Sequence, residues 1–494
     1  MILPCLVFLL SFLLRLSFIS KGPYHLDCLN LAIVSEKTLI THTLYHLYGV
    51  GYPLVVLLGS LFIFLMKTIS IPDPVFSVNL MSAVFSSLAV VTFYAMVKRL
   101  LDPWSAILSS IILSVLPSFL SVSVYGTSHT PSLFFLFLGL FFLLKHKESG
   151  LKRDLLWAGL GFGFMGGCRL QDLILMIVPA SFLWERAHRQ PVRSFFMFWS
   201  LAFLVSGAFY LPFLSGKSAP SYQIEFYEFW RTGLLSNFRG FLSPSLGNTM
   251  AIMVLNFFPV GFMLAAGGFF LLGRQAPKTF LFLILWFVVP TLFYGNLYST
   301  VSRFLVFSMV PLTIGLGYML SWLLRSPYKI MSYSSLFFFF LTIYLMTNSI
   351  HPLLAFRHHY ALLPQFAQWI EKNTEKNAQI IVGDEGLFIE YYAHRGILGR
   401  PRMTPSVPFL NESSLNGFKN TLDSLLDQEI PVYIDSDGLY SYDPGQRFSR
   451  LIKENYFLIF KGRHLSEDWH RGELDWGVYW QSLYKIQKRP TPSD

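Results

Sequence analysis

The chain has 494 residues, of which 53% are hydrophobic, 17% aromatic and only 13% charged. A water-soluble domain carries roughly 25% charged residues, so this balance, with its 50 phenylalanines, excludes a wholly soluble protein and points to a lipid-facing surface. The net charge of +10 is not a nucleic-acid footprint, because Lys and Arg sit in short clusters between apolar runs, as in the cytoplasmic loops of membrane proteins.

A helix needs about 20 apolar residues to cross the hydrocarbon layer. The opening stretch MILPCLVFLLSFLLRLSFIS lacks the basic start and small-residue cleavage site of a signal peptide, so 2–20 is expected to be an uncleaved first span. Residues 21–49 form a polar loop, and 50–66 is an apolar run of ambiguous role. Further spans are expected at 75–97, 104–124 and 128–144. The apolar stretch 155–184 is interrupted by Gly166, Gly167, Arg169, Gln171 and Asp172. Beyond it come 195–214, a loop at 216–249, and spans at 250–272, 279–296, 303–323 and 331–349. Cys5, Cys28 and Cys168 show neither a disulfide framework nor a metal-ligand spacing.

The basic clusters decide between two layouts. In one, 50–66 is a re-entrant or surface helix and 155–184 a hairpin of two short helices. Lys98, Arg99, the cluster from Lys145 to Arg153, Arg274, Lys278, Arg325 and Lys329 then all face the cytoplasm. In the other, 50–66 crosses and 155–184 is one long span, which moves Lys98, Arg99, Lys145, Lys147, Lys152 and Arg153 outside. The positive-inside rule favours the first. The expectation is therefore a polytopic α-helical membrane protein of about eleven membrane segments. Its loops 21–49 and 216–249 lie outside, and 1–350 is the membrane module. Residues 351–494 form an extracytoplasmic soluble domain.

This layout puts Arg169, Gln171 and Asp172 at the tip of the hairpin. A charge facing lipid costs several kcal/mol, so they are expected to line an enclosed, wet cavity, or to form an ion pair that ties the hairpin. In the first outer loop, Asp27 is the earliest carboxylate, among His25, His42, His46, Tyr24, Tyr45, Tyr48 and Tyr52. It is either a general base for a hydroxyl near the interface or a helix cap. His42 and His46 share a helical face, but no third ligand accompanies them.

One span, a long loop with an early Asp, a Gly51-Tyr52-Pro53 lead into a helix, a span closing on Lys98-Arg-Leu-Leu-Asp102, a Gly-Cys-Arg169 hairpin and a later SRFLVFSMVP span follow in order. Over roughly 1–350 this order resembles the C-type membrane glycosyltransferases, in particular the bacterial relatives of the protein O-mannosyltransferases and the lipid A aminoarabinose transferase. The resemblance implies a sugar donor carried on polyprenyl phosphate and an acceptor hydroxyl on a glycan, lipid or protein. It also implies inverting transfer outside a bacterial inner membrane. Asp27 takes the position of the catalytic acid of the family, and Arg169 and Arg303 that of the residues holding the donor phosphate. An arginine fork suits phosphate, although Arg303 also fits an interfacial Arg that snorkels to headgroups. His25, His46, Tyr52, His129, Asp172 and Tyr298 are candidate cavity residues. Tyr294 and Tyr298 fit an interfacial aromatic belt as well. Two features depart from the family pattern. Cys28 stands where many relatives have a second acid, and the stretch Tyr125-Gly-Thr-Ser-His129 stands where many have a Glu, so His129 replaces that acid or caps a helix. With no Asp-x-Asp in the first loop, neither a metal nor a cofactor is implied. A transporter or flippase of lipid-linked saccharide, or a lipid-linked glycan polymerase, are the rival readings. No repeated halves are visible to support a transporter.

In 216–249, YQIEFYEFWRTGLL reads as an amphipathic surface helix with Glu225, Glu228 and Arg231. After 351, strand-like AQIIVGD, PVYIDS and YFLIF alternate with helical stretches, including EGLFIEYYAHR and 413–428. A three- or four-stranded α/β domain is expected, with Asp384 and Glu385 as helix caps.

Overall fold

The computed structural model describes residues 2–48, 51–183, 191–214, 244–295, 302–383, 385–399, 412–440, 445–467 and 477–489. The chain divides into two compact units, the described residues of one being 2–21 and 30–359, those of the other 22–29 and the described residues from 360 on. The expected helix at 222–235, Tyr298 and Asp384 lie outside the described residues.

The described elements of the first unit are helices. In order it holds α1 (Ile2–Leu16), α2 (Leu26–Thr41, whose first residues belong to the second unit), α3 (Pro53–Thr68), α4 (Pro74–Leu100), α5 (Pro103–Val115), α6 (Pro117–Val122) and α7 (His129–Ser149). These are followed by α8 (Lys152–Cys168), α9 (Leu170–Phe182), α10 (Pro191–Leu214), α11 (Pro244–Gln275), α12 (Pro277–Gly295), α13 (Ser302–Leu324) and α14 (Lys329–His359). Seven helices among the described residues are long and apolar enough to cross a membrane, and four more are apolar but shorter. The protein is an integral membrane protein.

Asp-Pro pairs start two of these helices. Asp73 caps α4 by accepting from Val75 N (2.9 Å) and Phe76 N (3.1 Å), and Asp102 caps α5 through Trp104 N (3.0 Å) and Ser105 N (3.1 Å). In each case Pro takes the first helical position, where no N–H is needed. Asp102 also accepts from Arg325 Nη2 at 3.1 Å, which ties the start of α5 to the end of α13. Helix α13 is the central staff of the unit, buried from Leu305 to Leu316.

Two expectations need correction. Residues 21–49 are not simply a loop: α2 occupies 26–41, with Cys28, Leu29, Leu31 and Ala32 fully buried. Its apolar residues are too few for a span but enough for a packed face. The span expected at 104–124 is broken at Pro117, which cannot donate and drives Leu116 out of helical geometry (ψ 120°). The orphan Ser118 N–H is taken by Asn256 Oδ1 of α11 at 2.8 Å. One buried charge went unremarked in the sequence. Arg15 of α1 is fully enclosed, with Nε donating to Ser86 Oγ (2.7 Å), Nη1 to Ser11 Oγ (2.7 Å), and its guanidinium over Phe119 (5.2 Å).

The second unit is an α/β sheet domain. It contains α15 (Leu362–Asn373), β1 (Gln379–Ile381), a helical turn Gly386–Phe388 running into a π turn Ile389–Ala393, β2 (Gly396–Ile397), α16 (Glu412–Asp427) and β3 (Val432–Asp435). After these come α17 (Ser436–Tyr440), α18 (Arg447–Asn455), β4 (Tyr456–Glu467) and β5 (Val478–Lys488). Among the described residues the sheet has five strands in the order β2-β1-β3-β5-β4, with β2, β1 and β3 parallel and β5 antiparallel to both neighbours. The three strand-like stretches read from the sequence miss two strands. Strand β2 is only two residues long, and β5 (VYWQSLYKIQK) carries too many polar residues to read as a core strand. Apolar side chains pack on both faces: Ile381, Val432, Ile434 and Ile486 on one, Ile380, Tyr433 and Leu483 with Phe366 and Ile370 of α15 on the other.

Glu375 bridges the sheet, accepting from Lys485 Nζ (2.6 Å) and Tyr433 OH (2.5 Å). Burial pushes its pKa up, but these bonds outweigh that and hold the carboxyl at about 2, below its ordinary 4.5. The folded state thus gains stability above pH 4.5 and loses it as pH falls from 4.5 towards 2. Because the side chain is 43% exposed, the contribution is below about 1 kcal/mol. Glu375→Gln is expected to flatten the acid limb of the unfolding midpoint against pH. An unchanged slope between about pH 5 and 3 would remove this linkage.

Candidate active site

Five helix ends of the first unit converge on one buried polar cluster. They are the starts of α7 and α13, the end of α12, the break between α8 and α9, and the residue before α3. The opposite ends of these helices carry the basic clusters: Lys145 and Lys147 on α7, Lys152 and Arg153 on α8, Lys278 on α12, Arg325 just past α13. The cluster therefore lies at the end of the bundle away from the positive loops.

Arg169 is the hinge. It has extended geometry (φ −154°, ψ 97°) between α8 and α9, so the apolar stretch is two helices, as its interruptions suggested. Its side chain is 2% exposed, as is Asp172 one turn on. Arg169 Nε donates to Asp172 Oδ2 at 3.0 Å. Nη1 donates to Ser128 Oγ (3.0 Å) and lies 3.3 Å from His129 Nε2, while Nη2 donates to Tyr294 OH (3.3 Å). A guanidinium only donates, so His129 Nε2 must be the accepting nitrogen of a neutral ring. Asp172 is satisfied on both oxygens: Ser132 Oγ donates to Oδ2 at 2.7 Å and Tyr294 OH to Oδ1. Such a fully bonded pair is the one form in which buried charges are tolerated.

Aromatic rings enclose the pair. Tyr52 lies 5.5 Å and Phe304 5.8 Å from the Arg169 guanidinium. Tyr294 stacks on Phe304 (5.8 Å, 7°), and His129 meets Phe304 edge-on at 5.6 Å. Gln171 Nε2 donates to Tyr52 OH at 3.0 Å. Tyr52 holds this position through a left-handed backbone (φ 47°) just after Gly51 (φ 93°). A non-glycine residue there costs of order 1 kcal/mol or more and tends to persist at functional sites. Arg303 stands on the other side of Phe304, 5.2 Å from its ring and only partly buried.

The cluster thus unites Arg169, Asp172, His129 and Tyr52 with Arg303 beside it. The structure adds Ser128, Ser132, Phe304 and Tyr294. Ser132 was foreseeable as the i+3 neighbour of His129 on α7. Phe304 and Tyr294 gave no signal separating them from the many other aromatics. His129 does not cap α7, whose first N–H is met instead by Thr127 Oγ1 (3.3 Å). Arg169 and Asp172 do form the tying ion pair foreseen as one of two readings. His46 packs edge-on against Phe213 at 6.2 Å, and no group of three His, Cys, Asp or Glu side chains suited to a metal occurs among the described residues.

Asp27 and His25 belong to the second unit. Asp27 sits in the first turn of α2 with its side chain 35% exposed, and His25 Nδ1 is 3.5 Å from Asp27 Oδ2. That nitrogen already accepts from Asp27 N at 3.0 Å. It therefore carries no proton there, and the pair is not a salt bridge.

Residues 54–215 match the family model of dolichyl-phosphate-mannose-protein mannosyltransferases. ArnT from Cupriavidus metallidurans, solved with undecaprenyl phosphate, is similar in structure with a TM-score of 0.64 at 11% identity, covering 98% of this chain and 97% of that one. The chain has the C-type glycosyltransferase fold. The same fold is shared with the Archaeoglobus fulgidus oligosaccharyltransferase solved with zinc and sulfate (TM-score 0.59, 17% identity, 92% of this chain and 71% of that one). It is also shared with the mycobacterial arabinofuranosyltransferase AftD (TM-score 0.57, 15% identity, 99% of this chain and 40% of that one). No curated protein matches the sequence. In the C-type fold of this chain, the family match spans α3 to α10 and so contains Arg169, Asp172 and His129 of the cluster.

Proposed function

We propose that the protein transfers a sugar from a polyprenyl-phosphate donor to an acceptor hydroxyl at the outer face of a bacterial cell membrane, with inversion at the anomeric carbon. What carries this reading is the placement of the Arg169 cluster, with Arg303 beside it, in a C-type fold at the end of the bundle away from the basic loops. The acceptor is a glycan, lipid or protein, nucleic acid has no part, and the sheet domain is extracytoplasmic.

In the reaction the bond between the anomeric carbon and the phosphate oxygen breaks, and the polyprenyl phosphate leaves with the electron pair. The acceptor oxygen bonds to that carbon from the opposite side, and Asp27 takes the hydroxyl proton. Its side chain is 35% exposed and so open to an incoming hydroxyl. Arg303, less enclosed than Arg169, is the first contact for the departing phosphate. Arg169, bonded to Asp172 and Tyr294, positions the walls against which the phosphate settles. No metal or cofactor is assigned to the step.

The test is transfer from a labelled polyprenyl-phosphate sugar in membranes. Asp27→Asn is expected to retain wild-type expression and thermal midpoint while losing about 100-fold or more in rate. Transfer at the wild-type rate would remove Asp27 from the chemistry. Movement of labelled lipid-linked saccharide across vesicles without any covalent product would replace the whole reading with that of a flippase.

A further inference from the structure

The sheet domain contains a second polar cluster that the transfer chemistry does not use. Glu385, Asp435 and Asp437 lie at or just past the carboxyl ends of the parallel strands β1 and β3, close enough to repel one another, where α/β sheets commonly bind ligands. Tyr479 of β5 links two of them, its hydroxyl donating to Asp437 Oδ2 at 2.5 Å and lying 3.4 Å from Glu385 Oε1. Asp435 Oδ1 accepts from Gly438 N at 2.5 Å. Glu385 is 1% exposed and Asp435 0%. Glu385 was expected to cap the following helical turn, yet its side chain makes no cap bond, and its Oε2 meets no hydrogen-bond partner.

A second, independent feature lies on the neighbouring strand β5, on the face that Tyr479 shares. Gln481 is 0% exposed, and neither its amide oxygen nor its amide nitrogen is hydrogen-bonded. In the register of β3 with β5, Asp435 lies opposite Leu483. Side chains alternate along a strand, so Tyr479, Gln481 and Leu483 share one face, and Gln481 lies between the core residue Leu483 and the tyrosine that reaches the acids. Across the ladder, Ser466 stands opposite Tyr479, and its fully buried hydroxyl is likewise without a bond. A buried polar group left unpaired costs about 1–3 kcal/mol. Here both ends of an amide and a hydroxyl carry that cost on one face of one sheet, with the Glu385 carboxyl in the turn after β1.

We propose that this cluster is a binding site for a hard divalent cation of the Ca²⁺ type, held by oxygen atoms of Glu385, Asp437 and Gln481. The acids alone do not converge as a three-ligand set among the described residues, so the neutral amide oxygen is an essential member. Ca²⁺ accepts mixed carboxylate, amide and hydroxyl oxygens in flexible geometry, whereas Mg²⁺ demands a near-ideal octahedron. A cation there would offset the mutual repulsion of the buried acids and would lock the turn after β1 to β3 and β5.

The experiment uses the full chain, purified in detergent, stripped with EDTA and titrated calorimetrically with CaCl₂. One Ca²⁺ per chain is expected, with a raised thermal midpoint. Glu385→Gln and Gln481→Leu should each weaken binding roughly tenfold or more. Asp427→Asn, at an exposed carboxylate of α16 paired with Lys488, should bind as the wild type does. The proposal is overturned if the wild type takes up no Ca²⁺ at about 1 mM, the weak end of known sites. It is overturned equally if both variants bind like the wild type, or if methylammonium or K⁺ is preferred to Ca²⁺. Should Glu385→Gln fail to fold, Gln481→Leu carries the comparison alone.

Discussion

Asp172→Ala is expected to be the most destabilising single change in the membrane unit, lowering stability by about 3–5 kcal/mol. The substitution removes the counter-charge of an arginine that is 2% exposed and bonded at 3.0 Å. It also strands Ser132 and Tyr294, both of which donate to Asp172. Asp172→Asn keeps the shape and an acceptor but not the charge, and should fall between wild type and Asp172→Ala. The double variant Arg169→Met with Asp172→Leu should be more stable than Asp172→Ala, because an apolar pair of similar volume spares the desolvation of a lone charge. Thermal unfolding in detergent reads all three. A midpoint for Asp172→Ala equal to the wild type would mean that water or lipid headgroups reach Arg169 after all. The double variant also separates two roles for the pair. If it is folded and inactive, the pair shapes the reaction site; if it is folded and active, the pair only ties α9 to α7 and α12.

The second large effect comes from two adjacent glycines with opposite outcomes. A Cβ on Gly268 of α11 would come 1.9 Å from the carbonyl oxygen of Gly315 on α13, a backbone atom that cannot swing aside. A Cβ on Gly267 would meet only the end of the Met319 side chain at 3.6 Å, an ordinary contact. Gly268→Ala must push the two helices apart, with an expected cost of about 3 kcal/mol or more, the upper end for overpacking. Gly267→Ala should be neutral or stabilising by up to about 1 kcal/mol, from the better helix propensity of alanine. Helix interfaces in lipid rely on such small residues because close backbone approach replaces the hydrophobic drive available in water. Yields and thermal midpoints of the two variants, prepared in parallel, test it. Equal midpoints would show that α11 and α13 do not cross at this contact.

Much of the candidate site was legible because lipid punishes stray charge. Arg169 and Asp172 inside an apolar stretch announced an enclosed polar centre, and the helix break falls at Arg169. Tyr52 and His129 were visible as polar residues at helix starts. Partners of these residues were not legible. Tyr294 lies 125 residues from Arg169, and no local pattern distinguishes it from an interfacial belt tyrosine. Asn256, which takes the N–H left free next to Pro117, is 138 residues away from its partner. Arg15 was hidden for the opposite reason: in a first span it looks like a flanking basic residue, and only Ser11, Ser86 and Phe119 make it an interior one.

The one-dimensional pattern was sufficient for much of what the local solvent sets. Apolar run length makes the spans, Asp-Pro pairs start helices, and basic clusters separate the two ends of the bundle, because each of these depends on a few neighbouring residues and on the contrast between water and hydrocarbon. Only the tertiary structure decided which charges are paired, that the loop after the first span holds a packed helix, and that the sheet has five strands. It alone brought Glu385, Asp437 and Tyr479 together and buried Gln481 without a bond. Those outcomes depend on which distant groups share a desolvated space, and that is a property of packing rather than of any stretch of chain.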